Sequence, residues 1–177
     1  MDVPYFFQPM RGNKGALKTI FVTACIVAVV DGLAAVGITL ALSSSSPVRV
    51  FQYIASGLLG TSAFSGGLFT AAIGLICHFF IALVWTTLFF IFHRQVSNLL
   101  PQKFLKSILY GIIIWTGMNL IVVPLSRVPS GGSQDITRIL IGIITLILAA
   151  GLPMAHRFDQ YYLSRSISPQ STDDRPQ

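Results

Sequence analysis

The sequence has few charged residues, and it contains no glutamate at all. Charged residues occupy 10% of the 177 positions, whereas hydrophobic residues occupy 53%. A soluble domain of ordinary composition carries about a quarter charged residues. This chain therefore has too little polar surface to face water on every side. The composition excludes an ordinary soluble domain and favours a protein that is solvated by lipid.

The chain also lacks the motifs of soluble enzymes and of metal sites. It contains no HExxH, no GxSxG, no P-loop and no dinucleotide-binding glycine motif that is followed by a ribose-binding acid. The two cysteines, Cys25 and Cys77, lie in apolar stretches without the spacing of a CxxC or Cys/His ligand set. Such thiols are typical of packing residues. We therefore expect no enzymatic activity, no metal and no cofactor.

Four apolar stretches are long enough to cross a hydrocarbon core of about 30 Å, which takes roughly 20 helical residues. They run over residues 18–42, 68–92, 107–125 and 136–155. Strands of a membrane barrel would alternate in polarity, so runs of this length exclude them. The sequence thus predicts an all-α polytopic protein with a transmembrane domain over 18–155. A short segment at 1–17 precedes this domain, and a tail at 156–177 is predicted to be disordered.

The positions of lysine and arginine predict the orientation of these spans. Nine of the twelve basic residues lie before the first span, between the second and third, or after the fourth: Arg11, Lys14, Lys18, Arg94, Lys103, Lys106, Arg157, Arg165 and Arg175. The other three, Arg49, Arg127 and Arg138, lie on the opposite side. Basic residues concentrate on cytoplasmic loops, so both termini are expected in the cytoplasm. Orientation accounts for the net charge of +6, and no nucleic-acid partner is needed to explain it.

The connection after the first span predicts a further short helix at about 47–59. Ser46 and Pro47 form a helix start, with the serine at the N-cap and the proline at the first helical position. A helix of about 13 residues is too short to span the bilayer, so it suits either an interfacial or a re-entrant position. Two of its polar residues, Arg49 and Gln52, are candidates to line the outer mouth of a pathway.

Asp31 is the only acidic residue inside a predicted span. It lies about eleven residues from the outer end of the first span, and His78 lies at a similar depth in the second. Small residues surround both positions and would let the two helices approach closely. An Asp31–His78 pair could hold or pass a proton. Alternatively, it could be a neutral polar clasp that fixes the pairing of two helices.

The third span adds two polar candidates, Thr116 and Asn119, three residues apart and hence on one helical face. Asn119 could hydrogen-bond to the Asp31/His78 region or join helices elsewhere. His93 and His156 stand next to arginines at the cytoplasmic ends of their spans, and interfacial anchoring is the expected role of both.

Several segments resemble a widespread group of four-helix bacterial inner-membrane proteins. The resemblance is carried by Asp31 and by SPVRVFQYIASGLLG (46–60), AFSGG (63–67), HFFIA (78–82), YG (110–111), MN (118–119), PLS (124–126) and GLP (151–153). A more distant similarity links the chain to YagU-like proteins, whose name is associated with acid resistance. The resemblance implies a fold and a location in the bacterial inner membrane, and it implies no activity.

Two functional hypotheses follow from these observations. In the first, the protein supports proton-linked or small-solute permeation, or tolerance of acid and envelope stress, through Asp31 and His78. In the second, it is a non-transporting accessory protein that acts through partner helices, and Asp31, His78 and Asn119 form a structural clasp. The lipid bilayer is the expected surrounding. Four helices seldom enclose a pathway alone, so a homodimer or a partner membrane protein is expected as well.

Overall fold

The computed structural model describes residues 13–43, 45–129 and 135–167, and these are almost entirely helical, with no strand among them. Their helices are α1 (Asn13–Leu42), α2 (Pro47–Leu59), α3 (Gly67–Leu99), α4 (Lys103–Leu125) and α5 (136–167). α1, α3, α4 and α5 are each long and apolar enough to cross a membrane. The predicted all-α fold with four membrane-spanning helices and a short helix at 47–59 is confirmed.

All four long helices extend beyond the apolar stretches, and they do so at one end of the bundle. At this end α1 begins at Asn13 and α4 begins at Lys103, whereas α3 ends at Leu99 and α5 ends at residue 167. The extra turns persist because they pack against one another, as the burial of Ala16 and Phe158 shows. The prediction of a disordered tail is therefore wrong over 156–167. Residues 1–12 and 168–177 lie outside the described part of the chain.

Each of the last two long helices contains a π-helical turn just before a proline. In α4 the turn spans Met118–Val122 and precedes Pro124, and in α5 it spans Ile147–Gly151 and precedes Pro153. A proline ring clashes with the carbonyl four residues earlier, and a wider turn moves that carbonyl away. Pro124 lies near the end of α4, whereas Pro153 lies in the interior of α5.

Glycines bring α4 and α5 into close, antiparallel contact. A Cβ on Gly111 would lie 2.7 Å from the Cα of Ile147, and a Cβ on Gly151 would overlap the backbone oxygen of Ser107. Backbones approach this closely only where side chains are absent, as is common between membrane helices.

α2 packs against the first turns of α3 with its polar side inward. Gln52 and Ser56 are buried, whereas Tyr53 and Leu58 are exposed. The contact requires Gly74, because a Cβ there would overlap the carbonyl oxygen of Phe51. A helix packed against a bundle in water would bury its apolar side instead. Exposure of the apolar side is the pattern of a helix whose outer surface meets lipid.

Candidate functional site

A cavity of about 290 Å³ lies at the centre of the bundle, and all five helices contribute to its wall. Its lining includes Asp31 from α1, Tyr53 from α2, His78 and Trp85 from α3, Met118 from α4 and Met154 from α5. Ligand sites are usually concave and mostly apolar, with a few polar groups that orient the ligand. This cavity has that character.

Few polar side chains face the cavity. Apart from Asp31 and His78 they are Tyr53 and Ser126, and the hydroxyl of Ser126 already donates to the carbonyl of Val123 at 2.7 Å. The described residues that line the cavity include no lysine and no arginine. Asp31 is the only carboxylate among these described lining residues, and the rest of that surface is apolar or neutral apart from the imidazole of His78.

The structure brings Asp31 and His78 together as neighbours that do not hydrogen-bond directly. Nε2 of His78 lies 4.0 Å from Oδ2 of Asp31, which is within ion-pair range. The same nitrogen lies 3.0 Å from the carbonyl oxygen of Ala28, so it carries a hydrogen and donates it to that carbonyl. This bond joins α3 to α1. The expected direct packing of the two helices is thus present, with the backbone of α1 as the partner of the imidazole.

The carboxylate of Asp31 receives no hydrogen bond from the described residues, and Nε2 of His78, which lies 4.0 Å away, donates to Ala28 instead. Its side chain is 23% exposed and faces the cavity. An ionised carboxylate in apolar surroundings is costly unless a cation or a set of donors balances it. Asp31 is therefore suited to exchange between a protonated state and an ionised state that is paired with a cation.

Thr116 and Asn119 do not join this site. The face of α4 that lines the cavity carries Ile114, Met118 and Val122, which recur every four residues. Thr116 lies between the first two of these positions and is exposed on another side of the helix. Asn119 donates to the carbonyl of Trp115 at 2.9 Å and does not line the cavity. The two residues are three positions apart, as predicted, but the shared face points away from the cavity.

Arg49 and Gln52 do not form a mouth to the cavity either. Gln52 is 4% exposed, and its amide donates to the carbonyl of Gly67 at 3.1 Å, which ties α2 to the start of α3. The guanidinium of Arg49 is exposed and lies 5.1 Å from the ring centroid of Phe64, a cation–π contact. α2 contributes Tyr53, Ile54 and Gly57 to the cavity instead.

A second polar site, which the sequence did not predict, lies at the opposite end of the bundle from α2. We call His93, Ser97, Lys106, Tyr110 and Asp159 the inner cluster. Nδ1 of His93 lies 2.7 Å from the hydroxyl of Tyr110, and Nε2 lies 2.9 Å from Oδ1 of Asp159. Lys106 donates to the same carboxylate oxygen and, at 3.3 Å, to the hydroxyl of Ser97.

The hydrogen-bond pattern assigns charges within the inner cluster. Nε2 of His93 faces a carboxylate and so carries a hydrogen, which leaves Nδ1 to accept the hydroxyl hydrogen of Tyr110 in a neutral imidazole. The ammonium of Lys106 then balances the carboxylate of Asp159. His93 is 1% exposed, Lys106 2% and Tyr110 0%, whereas the side chain of Asp159 is 24% exposed. The cluster thus connects a buried hydroxyl to a partly exposed carboxylate.

His93 is therefore not the interfacial anchor that the sequence suggested. The ring is enclosed by aromatic neighbours, stacked on Tyr162 at 5.5 Å between centroids and edge-on to Phe158 at 5.4 Å. One signal was present in the sequence: Lys106 and Tyr110, like His93 and Ser97, are four residues apart and share a helical face. Asp159 was missed because the fourth helix was expected to end at 155.

Two hydroxyls lie buried between the cavity and the inner cluster. Thr23 on α1 and Thr86 on α3 are both 0% exposed, and neither hydroxyl oxygen has a hydrogen-bond partner among the described residues. The neighbouring Thr87 behaves ordinarily, since its hydroxyl donates to the carbonyl of Leu83 at 2.7 Å. Unpartnered buried hydroxyls are uncommon in folded proteins.

Comparisons with protein-family models, with curated proteins and with solved structures found no match to this chain. Its function must therefore be argued from the cavity and its polar groups.

Proposed function

We propose that the protein is an integral membrane protein that supports proton-linked permeation of small solutes, with Asp31 as the group that gains and loses the proton. The observation that carries the proposal is the position of Asp31 on the wall of a central apolar cavity, where its carboxylate receives no hydrogen bond from the part of the chain that the structure describes. Ionisable residues within membrane spans commonly face such cavities and mark the pathways of ions or substrates.

His78 supports this role by its position. Its imidazole is held by the carbonyl of Ala28 and lies 4.0 Å from the carboxylate, so the ring is fixed next to Asp31. We further propose that the protein lies in a bacterial inner membrane with both termini in the cytoplasm. The distribution of lysine and arginine along the chain supports this orientation. A role in acid or envelope stress tolerance fits the same proton chemistry.

Proton movement into liposomes tests this proposal. Purified protein is reconstituted with a pH-sensitive dye inside, and an inward pH gradient is imposed. We expect proton entry that exceeds that of protein-free liposomes and is lost in Asp31→Asn. The matched control is Asp135→Asn, which removes an exposed carboxylate at the start of α5 and should leave the flux unchanged.

An accessory role is the second candidate function. The hydrogen bond from His78 to the Ala28 carbonyl favours it, because this bond joins α3 to α1 whether Asp31 is protonated or ionised. In this account the protein acts through partner helices, and the polar groups serve as a clasp. It predicts co-purification with another membrane protein and retention of that complex in Asp31→Asn. Cross-linking in membranes would separate such a complex from a homodimer.

A further inference from the structure

We infer that the central cavity binds an apolar organic cation, such as a quaternary or protonated amine, with its positive charge at Asp31. This inference rests on the proposed permeation function and names the chemical class of the solute. It follows from the wall of the cavity, which combines one carboxylate with an aromatic and aliphatic lining.

The charge of the cavity selects the sign of the ligand. Asp31 is its only carboxylate, and no lysine or arginine is present among the described lining residues. The other ionisable side chains among the described lining residues are His78 and Tyr53. The Nε2 hydrogen of His78 is directed to the carbonyl of Ala28 rather than to Asp31. A cation next to Asp31 therefore meets no lysine or arginine among the described lining residues.

The remaining wall selects an apolar body for the ligand. Trp85 and Tyr53 offer aromatic surfaces, and Ile81, Met118 and Met154 offer flexible or branched aliphatic surface. Alkylammonium groups bind favourably to aromatic faces, most strongly to tryptophan. A strongly hydrated inorganic ion would lose its water here and gain only one carboxylate. The volume of about 290 Å³ limits the ligand to a small molecule.

Proton exchange follows from the same geometry. With the cavity empty, a proton on Asp31 neutralises the carboxylate, and with an organic cation bound the carboxylate is ionised and paired. When one cation binds, the O–H bond of Asp31 breaks and the proton is transferred to solvent water, while the carboxylate pairs with the cation without a covalent bond. When an organic cation is present, the exchange links its movement to proton movement in the opposite direction, and when it is absent Asp31 passes protons alone, as in the liposome measurement.

A pair of ligands that differ only in charge tests the inference. The probes are benzyltrimethylammonium and its neutral isostere neopentylbenzene, added to the full chain in detergent. Trp85 lines the cavity, so its fluorescence reports binding in a Trp115→Phe background, in which Trp85 is the sole tryptophan. We expect the cation to bind about tenfold or more tightly than the isostere, a preference of the size that one ion pair gives.

Variants at Asp31 complete the test. Asp31→Asn should abolish the preference for the cation and leave the affinity for the isostere unchanged, whereas Asp31→Glu should retain the preference. A single symmetrical elution peak is the check that Asp31→Asn folds. If the variant fails this check, comparison of the cation and the isostere in the Trp115→Phe protein and in Asp31→Glu still tests the inference. Equal binding of the two probes would overturn the inference. Proton flux without charge-selective binding would overturn the inference about the organic cation and leave the permeation proposal standing. Charge-selective binding without proton flux would sustain the inference about the organic cation and overturn the permeation proposal.

Discussion

Nε2 of His93 and Oδ1 of Asp159 lie 2.9 Å apart, although 66 residues separate them in the chain. The contact joins α3 to the part of α5 that extends beyond the apolar stretch. The same carboxylate oxygen accepts a hydrogen bond from Lys106 of α4. Three of the four long helices are thus fixed to one another by a single carboxylate, at the end of the bundle opposite α2.

Removal of this carboxylate should destabilise the bundle. Asp159→Asn leaves the ammonium of Lys106 buried without a counter-charge, and we expect a loss of about 3 kcal/mol in the free energy of unfolding. The measurement is the thermal unfolding midpoint in detergent. Lys106→Met added to Asp159→Asn should recover most of the loss, because the stranded charge is then gone. A midpoint for Asp159→Asn equal to that of the exposed control Asp135→Asn would show that the ion pair contributes nothing.

Two adjacent threonines of α3 should respond oppositely to loss of the hydroxyl. Thr86→Val removes a buried hydroxyl that has no partner in the described residues, so it should leave stability unchanged or raise it by up to about 1 kcal/mol. Thr87→Val removes a hydroxyl bonded to the Leu83 carbonyl and should lower stability by about 0.5 kcal/mol. Unfolding midpoints of the two variants, measured side by side, check the order. A lower midpoint for Thr86→Val than for Thr87→Val would indicate that the Thr86 hydroxyl has a stabilising partner.

The contact between α2 and α3 depends on the absence of a side chain at Gly74. Gly74→Ala would place a Cβ against the carbonyl oxygen of Phe51, and we expect the helices to separate at a cost of about 3 kcal/mol. Faster cleavage by protease within the α2 region would report the separation. Gly37→Ala on α1 is the matched control, because nothing lies within 4 Å of its added Cβ, and this variant should be neutral or slightly stabilising. Equal protease resistance of the two variants would contradict the predicted packing.

The glycine pair between α4 and α5 gives a related prediction. Gly151→Ala should destabilise the protein, because its Cβ would overlap the backbone of Ser107 rather than a movable side-chain end. The expected loss is about 2–3 kcal/mol, seen as a lower unfolding midpoint. An unchanged midpoint would mean that α4 and α5 can separate without loss of stability.

Much of the fold could be predicted from hydropathy because lipid requires long apolar helices. Hydropathy predicted the four spans, and the start signal at Ser46 and Pro47 predicted the helix at 47–59. Helix ends were harder, because turns beyond the bilayer are stabilised by contacts between helices, which hydropathy does not report. The misplaced end of the fourth span is the example with the largest consequence, since it assigned Asp159 to a disordered tail.

The candidate site was predicted in part. Depth along two helices placed Asp31 and His78 together, because rise per residue is fixed in a helix. The side of each helix that faces the cavity was less predictable. Thr116 and Asn119 share a helical face, but no local sequence pattern indicates which side of α4 meets the cavity. The prediction that Gln52 lines an outer mouth was wrong, because its side chain is buried against α3.

If Asp31 carries the proton of a permeation pathway, its removal should stop proton entry into liposomes. The decisive comparison is between Asp31→Asn and Asp135→Asn at equal amounts of reconstituted protein. We expect wild-type proton entry for Asp135→Asn, and for Asp31→Asn a rate equal to that of protein-free liposomes. Equal proton entry through the two variants would contradict this role of Asp31.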